Sequence, residues 1–445
     1  VNYLELSKRG DVQMKLTEAK KAFLMGNMNE KIKHIYVCGD EGCETVAQRY
    51  ADAIDCFASI YGEERDVSVF SAPGRTEVGG NHTDHQRGHV LAAAVNLDVI
   101  AIASRNDDYK IRIKSQGYPE DVIDLTDLSV HNEEKNKSKS IIRGMANRFI
   151  EMGYPVSGFD AYTTSQVLSG SGLSSSAAFE VLVGTTINAL FCGGKESAMK
   201  IAQIGQYAEN VYFGKPSGLM DQAASSIGGF VAINFADKEN PQAQQVNFDL
   251  NFCGYELCII DTHASHADLT PDYAAIPAEM RSVAAYFHKE VLSEVPEVTF
   301  YSHIPELRKE VGDRPVLRAM HFYKDDKCAQ EEANALRHSC FEKFKKLVLA
   351  SGRSSFMYLQ NIYSATHYDQ QAVSVTLGLI EHFASQLQER DAMAWRVHGG
   401  GFAGTVQAFV PQKYAGDFVK AMDSWLGEGS CHLLRVRPVG GTQML

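Results

Sequence analysis

The chain has 445 residues, enough for two or three domains. Hydrophobic residues make up 44% and charged residues 22%, a soluble globular balance. Against 43 Lys and Arg stand 55 Asp and Glu, and the net charge of −12 disfavours a general binder of nucleic acid or anionic membrane. The longest apolar run, Val90–Ala103, is interrupted by Asn96 and Asp98 and is too short to span a bilayer. The opening "VNYLELSKRGDVQMKL" is mixed and polar, without a secretory pattern. Nine cysteines, an odd number with no Cys-x-x-Cys, read as reduced thiols, so a cytoplasmic protein is expected.

Residues 1–66 read as mainly helical, with a glycine-containing break at "VCGDEGCET". "DVSVFSAPGR" alternates apolar and polar residues, then meets Pro-Gly, which predicts a strand ending in a turn. Strands follow in "HVLAAAVNLDVIAIASRNDD" and "YKIRIKS", then a charged loop over 129–140. An amphipathic helix, "IIRGMANRFIEMG", closes at Gly153. "GFDAYTTSQVLSGSGLSSSAAFEVLVGTTINALF" reads as a strand, a glycine-serine turn and a long helix, and "KESAMKIAQIGQYAENVYFG" as another helix ending at Gly214. Beyond Gly228 come the strands "GFVAINF" and "YELCIID", several helices between about 275 and 390, "VHGGGFAGTVQAFV" and "LLRVRPVGG". Strands and helices mix without strict alternation, so the pattern predicts an α+β fold. There is no internal repeat or low-complexity tract.

Four stretches carry the chemistry. In "GRTEVGGNHTDHQRGH", residues 74–89, His82, Asp84 and His85 match the tail of a His-x-His-x-Asp-His zinc cluster, but Gly80 stands where its first histidine would be. In "SGSGLSSSAAFEVLVG", residues 169–184, glycines and three serines open a helix whose apolar residues keep helical spacing. Unpaired amides and the positive end of the dipole at such a helix start can hold phosphate. A serine-capped turn is the plainer reading of that stretch alone. No Walker A loop and no Gly-x-Ser-x-Gly elbow occurs. In "GKPSGLMDQAASSIGG", residues 214–229, Asp221 could be a helix cap, and Glu209 upstream a solvated face residue. In "HGGGFAGT", residues 398–405, small residues around one Phe imply a backbone packed tightly on a ligand or a neighbouring element.

Together and in this order, over roughly residues 67–440, the four stretches resemble the galactokinase branch of the superfamily that includes homoserine, mevalonate and phosphomevalonate kinases. The family's Gly-Arg-x-Asn-x-x-Gly-Glu-His-x-Asp-Tyr signature is matched by Gly74, Arg75, Gly80, His82 and Asp84. Its Pro-x-Gly-x-Gly-Leu-Ser-Ser-Ser-Ala motif is matched from Gly170 to Ala177, with Leu168 in place of the proline. Gly-x-x-Asp-Gln is matched by Gly218, Asp221 and Gln222, and Gly-Gly-Gly-Phe-Gly-Gly by Gly399–Phe402 and Gly404, with Ala403 as the exception.

The resemblance implies a two-domain α+β kinase with its active site in the cleft between domains. Residues 1–66 would be an extension the family does not need, 67–220 the ATP- and sugar-binding domain and 221–445 the second domain. It implies ATP phosphates on Gly170, Ser171, Gly172, Leu173, Ser174, Ser175 and Ser176, and Mg2+ on Ser176 and Glu209, hard oxygen ligands of the kind magnesium takes. Asp221 would activate or orient the anomeric hydroxyl, and Arg75 would neutralise phosphoryl charge and keep Asp221 ionised. Asn81, His82, Asp84, Gly218 and Tyr273 would line the sugar pocket.

Within the sugar signature the chain departs from the family at three positions: Asn81 replaces its glutamate, Glu77 its asparagine and His85 its tyrosine. The family's glutamate holds the sugar's 6-hydroxyl, and an amide there would tolerate the carboxylate of galacturonate. Galactose 1-phosphate is the expected product. The alternatives are a kinase for a related sugar such as galacturonate, a galactokinase-like sugar sensor, and last a zinc enzyme using His82, Asp84, His85 and His263 or His266. A monomer is expected.

Overall fold

The structure is a computed structural model that describes residues 13–445 except 169–171, 216, 238–239, 265–267 and 390. Its first element of consequence is a nine-stranded sheet built on two long strands, β2 (Asp66–Gly79) and β3 (His89–Arg105). β3 pairs with β2 along one edge and is shared by two strands along the other. Its first half pairs with β7 (Phe230–Asn234), and its second half, from Val99 to Arg105, with β6 (Phe159–Ser165). Beyond β6 lie β4 (Lys110–Ser115), parallel to it, and β5 (Glu120–Asp124), while β8 (Gln242–Val246) extends β7. On β2, short β1 (Met14–Lys15) and β13 (Thr442–Gln443) complete the sheet. A second, four-stranded sheet has the order β10 (Ala394–Val397), β11 (Thr405–Pro411), β9 (Tyr255–Asp261), β12 (Cys431–Leu434), all antiparallel. The α+β reading is what the structure shows.

The two faces of β3 follow from its period of two. Val99, Ala101 and Ala103 meet the interior helices Ser138–Glu151 and Ser175–Cys192, whereas Ile100 and Ile102 point the other way. That second face is covered by the N-terminal helices Leu16–Leu24, Asn29–Tyr36 and Asp40–Tyr61, through Phe23, Ile32, Tyr50, Ile54 and Phe57, all within 1% of full burial. Each such side chain contributes about 1.5–3 kcal/mol when it leaves water. The extension is therefore a layer of this fold. A buried carboxylate keys it in place: Asp98 accepts from Arg49, Tyr36, Ser71 and Arg437. Burial would raise the Asp98 pKa, but Arg49 and Arg437 outweigh it and hold the group below its ordinary value.

Three expectations change. β2 continues through Pro73-Gly74 to Gly79, where a turn was expected. Its register with β3 shifts between Pro73 and Arg75 and again between Glu77 and Gly79, so bulges absorb what local turn chemistry suggested would end the strand. The boundary expected at 220/221 falls inside the helix Met220–Ile227, and β7, β8 and β13 join the first sheet. One hydrophobic core also joins the two sheets, with Phe70 and Phe230 in the same cluster as Leu257 and Phe409. Finally, the helix expected to end at Gly214 does end there but changes form on the way: it is α-helical over Ala198–Tyr207 and continues as a π-helical turn, Ala208–Phe213. That wider turn carries Glu209.

Candidate active site

The bulges flank Arg75 and Glu77, and the first of these residues organises a charged cluster. Arg75 Nε donates to Asp221 Oδ1 at 2.7 Å, and its Nη1 donates to the Gly172 carbonyl. Ser174 Oγ donates to Asp221 Oδ2. Asp221 lies in the first turn of Met220–Ile227, where the helix dipole favours negative charge. Burial pushes its pKa upward, but Arg75 and Ser174 more than offset this and leave it below 3.8. Asp221 is therefore ionised at neutral pH.

The loop before the long helix is laid directly on β2. Arg75 N donates to the Leu173 carbonyl at 3.0 Å, and a Cβ on Gly74 would come within 2.9 Å of that oxygen. Gly172 and Ser174 take left-handed backbone conformations, and the helix Ser175–Cys192 then starts with its first amides unpaired within the helix. Ser175 is half-buried and Ser176 exposed at that opening. Gly170 and Ser171 lie outside the described residues.

Beside this cluster sits a second carboxylate. Glu209 is buried, and its Oε2 accepts from Ser217 Oγ at 2.5 Å and Gln222 Nε2 at 2.9 Å. Its Oε1 faces the Lys215 ammonium at 3.0 Å. Gln222 Nε2 also donates to Glu180 Oε2 at 2.9 Å. Burial, reinforced by Glu209, pushes the Glu180 pKa well above the usual carboxylate range. Ser176 stands one turn before Glu180 on the same helix face, the side that meets Glu209 through Gln222. A hydroxyl, one ionisable carboxylate oxygen and a cation already seated on it fit a magnesium site completed by phosphates and water. Among the described residues no group of three or more His, Cys, Asp or Glu could hold a metal ion, and His266 lies outside them.

The third group surrounds the glycine-rich segment at 398–405. His82, with left-handed backbone, bonds the Gly400 carbonyl through Nε2 at 3.1 Å and stacks on His85. Burial and His85 lower its pKa to about 4, so it is neutral at pH 7. Asp84 Oδ1 accepts from the His85 amide at 2.9 Å, and Oδ2 lies 3.0 Å from where a Gly218 Cβ would be. Tyr273 donates to the Gly401 carbonyl at 2.9 Å, and its ring fills the space a Gly400 side chain would need. The small residues thus pack on Tyr273 and, at Gly401, on Asn361.

Asn81 has no exposed surface, and every polar atom of it has a partner within the protein. Its Nδ2 donates to Glu77 Oε1 and the Gly399 carbonyl, both at 2.7 Å, and its Oδ1 accepts from Asn361 Nδ2 at 2.7 Å. Its backbone is gripped by Asp325 and His321 from the helix Asp313–Arg337. The residue is a buried junction, with its amide turned to protein rather than to an open pocket.

The structure thus brings Arg75, Gly172, Leu173, Ser174 and Asp221 into one cluster, sets Glu209 next to it, and places Asp84 against Gly218. Two residues with no assigned role in the motif reading also enter. Glu77, 6% exposed, lies in the fields of Arg75, Arg396 and Asp84, and burial pushes its pKa up to about 7. His398 accepts from the Glu77 amide, pairs with Thr405 Oγ1 at 2.8 Å and lies 3.2 Å from where a Gly172 Cβ would be. Burial, then Arg75 and Arg396, lowers its pKa to about 3. For Glu77 the signal lay in the exchange of its residue type with position 81. His398 gave none beyond its place before the glycines.

Comparison with known proteins agrees with this geometry. Residues 55–105 match the galactokinase galactose-binding signature, and residues 140–229 the N-terminal domain of GHMP kinases. The chain is 28% identical to a galactokinase of Streptomyces coelicolor over 369 residues, covering 82% of this chain and 90% of that one. It is 29% identical to a galactokinase of Enterococcus faecalis over 378 residues, covering 82% and 91%. Among solved structures, Lactococcus lactis galactokinase complexed with galactose superimposes with a TM-score of 0.73 at 24% identity, over 89% of this chain and 99% of that one. Methanococcus jannaschii mevalonate kinase does so with a TM-score of 0.58 at 14% identity, over 83% and 98%. By its signature, its kinase-domain match and its relatives, the chain is similar to the galactokinases and, more broadly, to the GHMP kinases.

Proposed function

We propose that this chain transfers the γ-phosphoryl group of ATP to the anomeric hydroxyl of galactose, giving galactose 1-phosphate and ADP. The observation that carries the reading is the Arg75–Asp221–Ser174 cluster at the mouth of the helix Ser175–Cys192. It joins an ionised carboxylate, a fixed cation and a helix start of the kind that can hold phosphate. In this reading Asp221 accepts a hydrogen bond from the sugar hydroxyl and aims it at the γ-phosphorus. Asp221 is too weak a base to take the proton beforehand, because Arg75 holds its pKa low. The proton passes to it as the new O–P bond forms and the bond to the ADP oxygen breaks. Arg75 lies beside both the carboxylate and the loop, positioned to offset charge on the transferred group.

Ser176 and Glu209 would hold magnesium, which when bound neutralises part of the triphosphate charge. Asp84, His82, Gly218 and Tyr273 would form the sugar clasp, with Asn81 bracing it from behind. Glu77 supplies a carboxyl group 2.7 Å from the Asn81 amide, so the exchange of residue types leaves the site its acid. That favours a sugar with a 6-hydroxyl over galacturonate. All nine cysteines are free, which supports a reducing, cytoplasmic setting; a monomer is part of the same proposal. The test is ADP release with galactose, galacturonate, N-acetylgalactosamine, glucose and arabinose in turn. Galactose should give the highest kcat/KM, and a flat or absent response to all five would defeat the proposal.

A further inference from the structure

Lys215 has no role in the motifs, yet its ammonium occupies the cation position on Glu209. The two partners differ sharply in exposure. The Lys215 side chain is 57% exposed and that of Glu209 only 5%, so the ammonium reaches the carboxylate from the open side. Glu209 Oε2 is taken by inner donors, Ser217 and Gln222, which leaves Oε1 as the oxygen turned outward. The root of Lys215 is fixed, because its backbone N–H donates to the Glu209 carbonyl at 3.2 Å. Its four-carbon stem is free to turn about that root. Asp221 and Glu180 also attract the ammonium.

A divalent cation on Oε1 and an ammonium at 3.0 Å from the same atom exclude one another by charge repulsion. We infer that Lys215 is a mobile phosphate-binding lysine: it covers Glu209 while the site lacks metal and moves to the triphosphate when the metal takes that carboxylate. The inference rests on the phosphoryl-transfer reading and adds a residue to it. Lys215 would thereby couple metal and nucleotide, since the metal pays less to displace an ammonium that has phosphates to receive it.

The test compares wild type with Lys215→Gln and Lys215→Arg by direct binding, without sugar. Mn2+ alone is titrated by electron paramagnetic resonance, and ATP with excess Mg2+ by calorimetry. Lys215→Gln should bind Mn2+ alone more tightly, because a competing cation is gone. The same variant should bind Mg·ATP about tenfold more weakly, the loss of one charge-assisted hydrogen bond. Lys215→Arg should keep most of the ATP affinity. Opposite changes for metal and nucleotide support the exchange, whereas a packing role would not separate them. Unchanged Mg·ATP affinity in Lys215→Gln, or equal losses in the Gln and Arg variants, overturns it. If wild type itself binds no Mg·ATP, the phosphoryl-transfer reading fails and this role fails with it. If wild type binds and Lys215→Gln binds equally, only the lysine's role fails.

Discussion

Glu77→Gln isolates a buried acid beside the proposed sugar clasp. The carboxyl is buried under the clasp, bonded to Asn81 and 3.9 Å from Arg396, and burial outweighs those partners to bring its pKa from 4.5 to about 7. Raised in the folded state, such a group stabilises the fold fully below pH 4.5, and that contribution is lost as pH rises through about 7. At about 1.4 kcal/mol per pH unit, the interval amounts to roughly 3 kcal/mol. Glutamine can still accept from Asn81 and does not ionise. Glu180 and Glu332 have pKa values raised by burial too, so wild type loses stability with pH for other reasons as well. The difference between wild type and variant removes that background. Urea unfolding from pH 5 to 8.5 should therefore show wild type losing about 3 kcal/mol relative to Glu77→Gln. Parallel curves would refute a buried, raised Glu77.

Asp221→Asn should lower turnover on the order of 10²–10⁴-fold while leaving Mg·ATP affinity nearly unchanged, measured by single-turnover kinetics and calorimetry. Asn81→Glu should destabilise by roughly 3 kcal/mol or more, since it sets a second acid against Glu77 and the Gly399 carbonyl. The exchanged pair Glu77→Asn/Asn81→Glu should recover at least half of that loss in urea unfolding, and no recovery would mean the two positions are uncoupled. Arg49→Ala should cost about 3 kcal/mol, because Asp98 keeps only Arg437 as a cation in a site with no solvent exposure. A loss under 1 kcal/mol in the same assay would show that the N-terminal helices are not keyed through that carboxylate.

What could be read from the sequence was whatever lies in short, ordered stretches. Gly172–Ser174, Arg75 and Asp221 were identifiable because each sits in a motif whose backbone requirement is local. What escaped depends on contacts between distant segments. Nothing near Asn81 announces that Asn361, Gly399 and Asp325 will use up its polar atoms, from hundreds of residues away. The Pro73-Gly74 pair reads as a turn until β3 and the Leu173 carbonyl hold it within a strand. The segment over 16–61 was legible as mainly helical, with its break near Gly39. Its role as the second cover of the sheet was not, since it depends on Ile100 and Ile102 pointing away from the other core.

The central claim is phosphorylation of one particular hydroxyl, and the reducing end of the sugar reports it. With ATP, Mg2+ and galactose, ADP formed and free reducing ends remaining are counted in the same reaction. The account expects one reducing end lost for each ADP released, because an anomeric phosphate blocks the reducing-sugar reaction. ADP released with reducing ends intact would place the phosphate elsewhere on the ring or on water, and would contradict it.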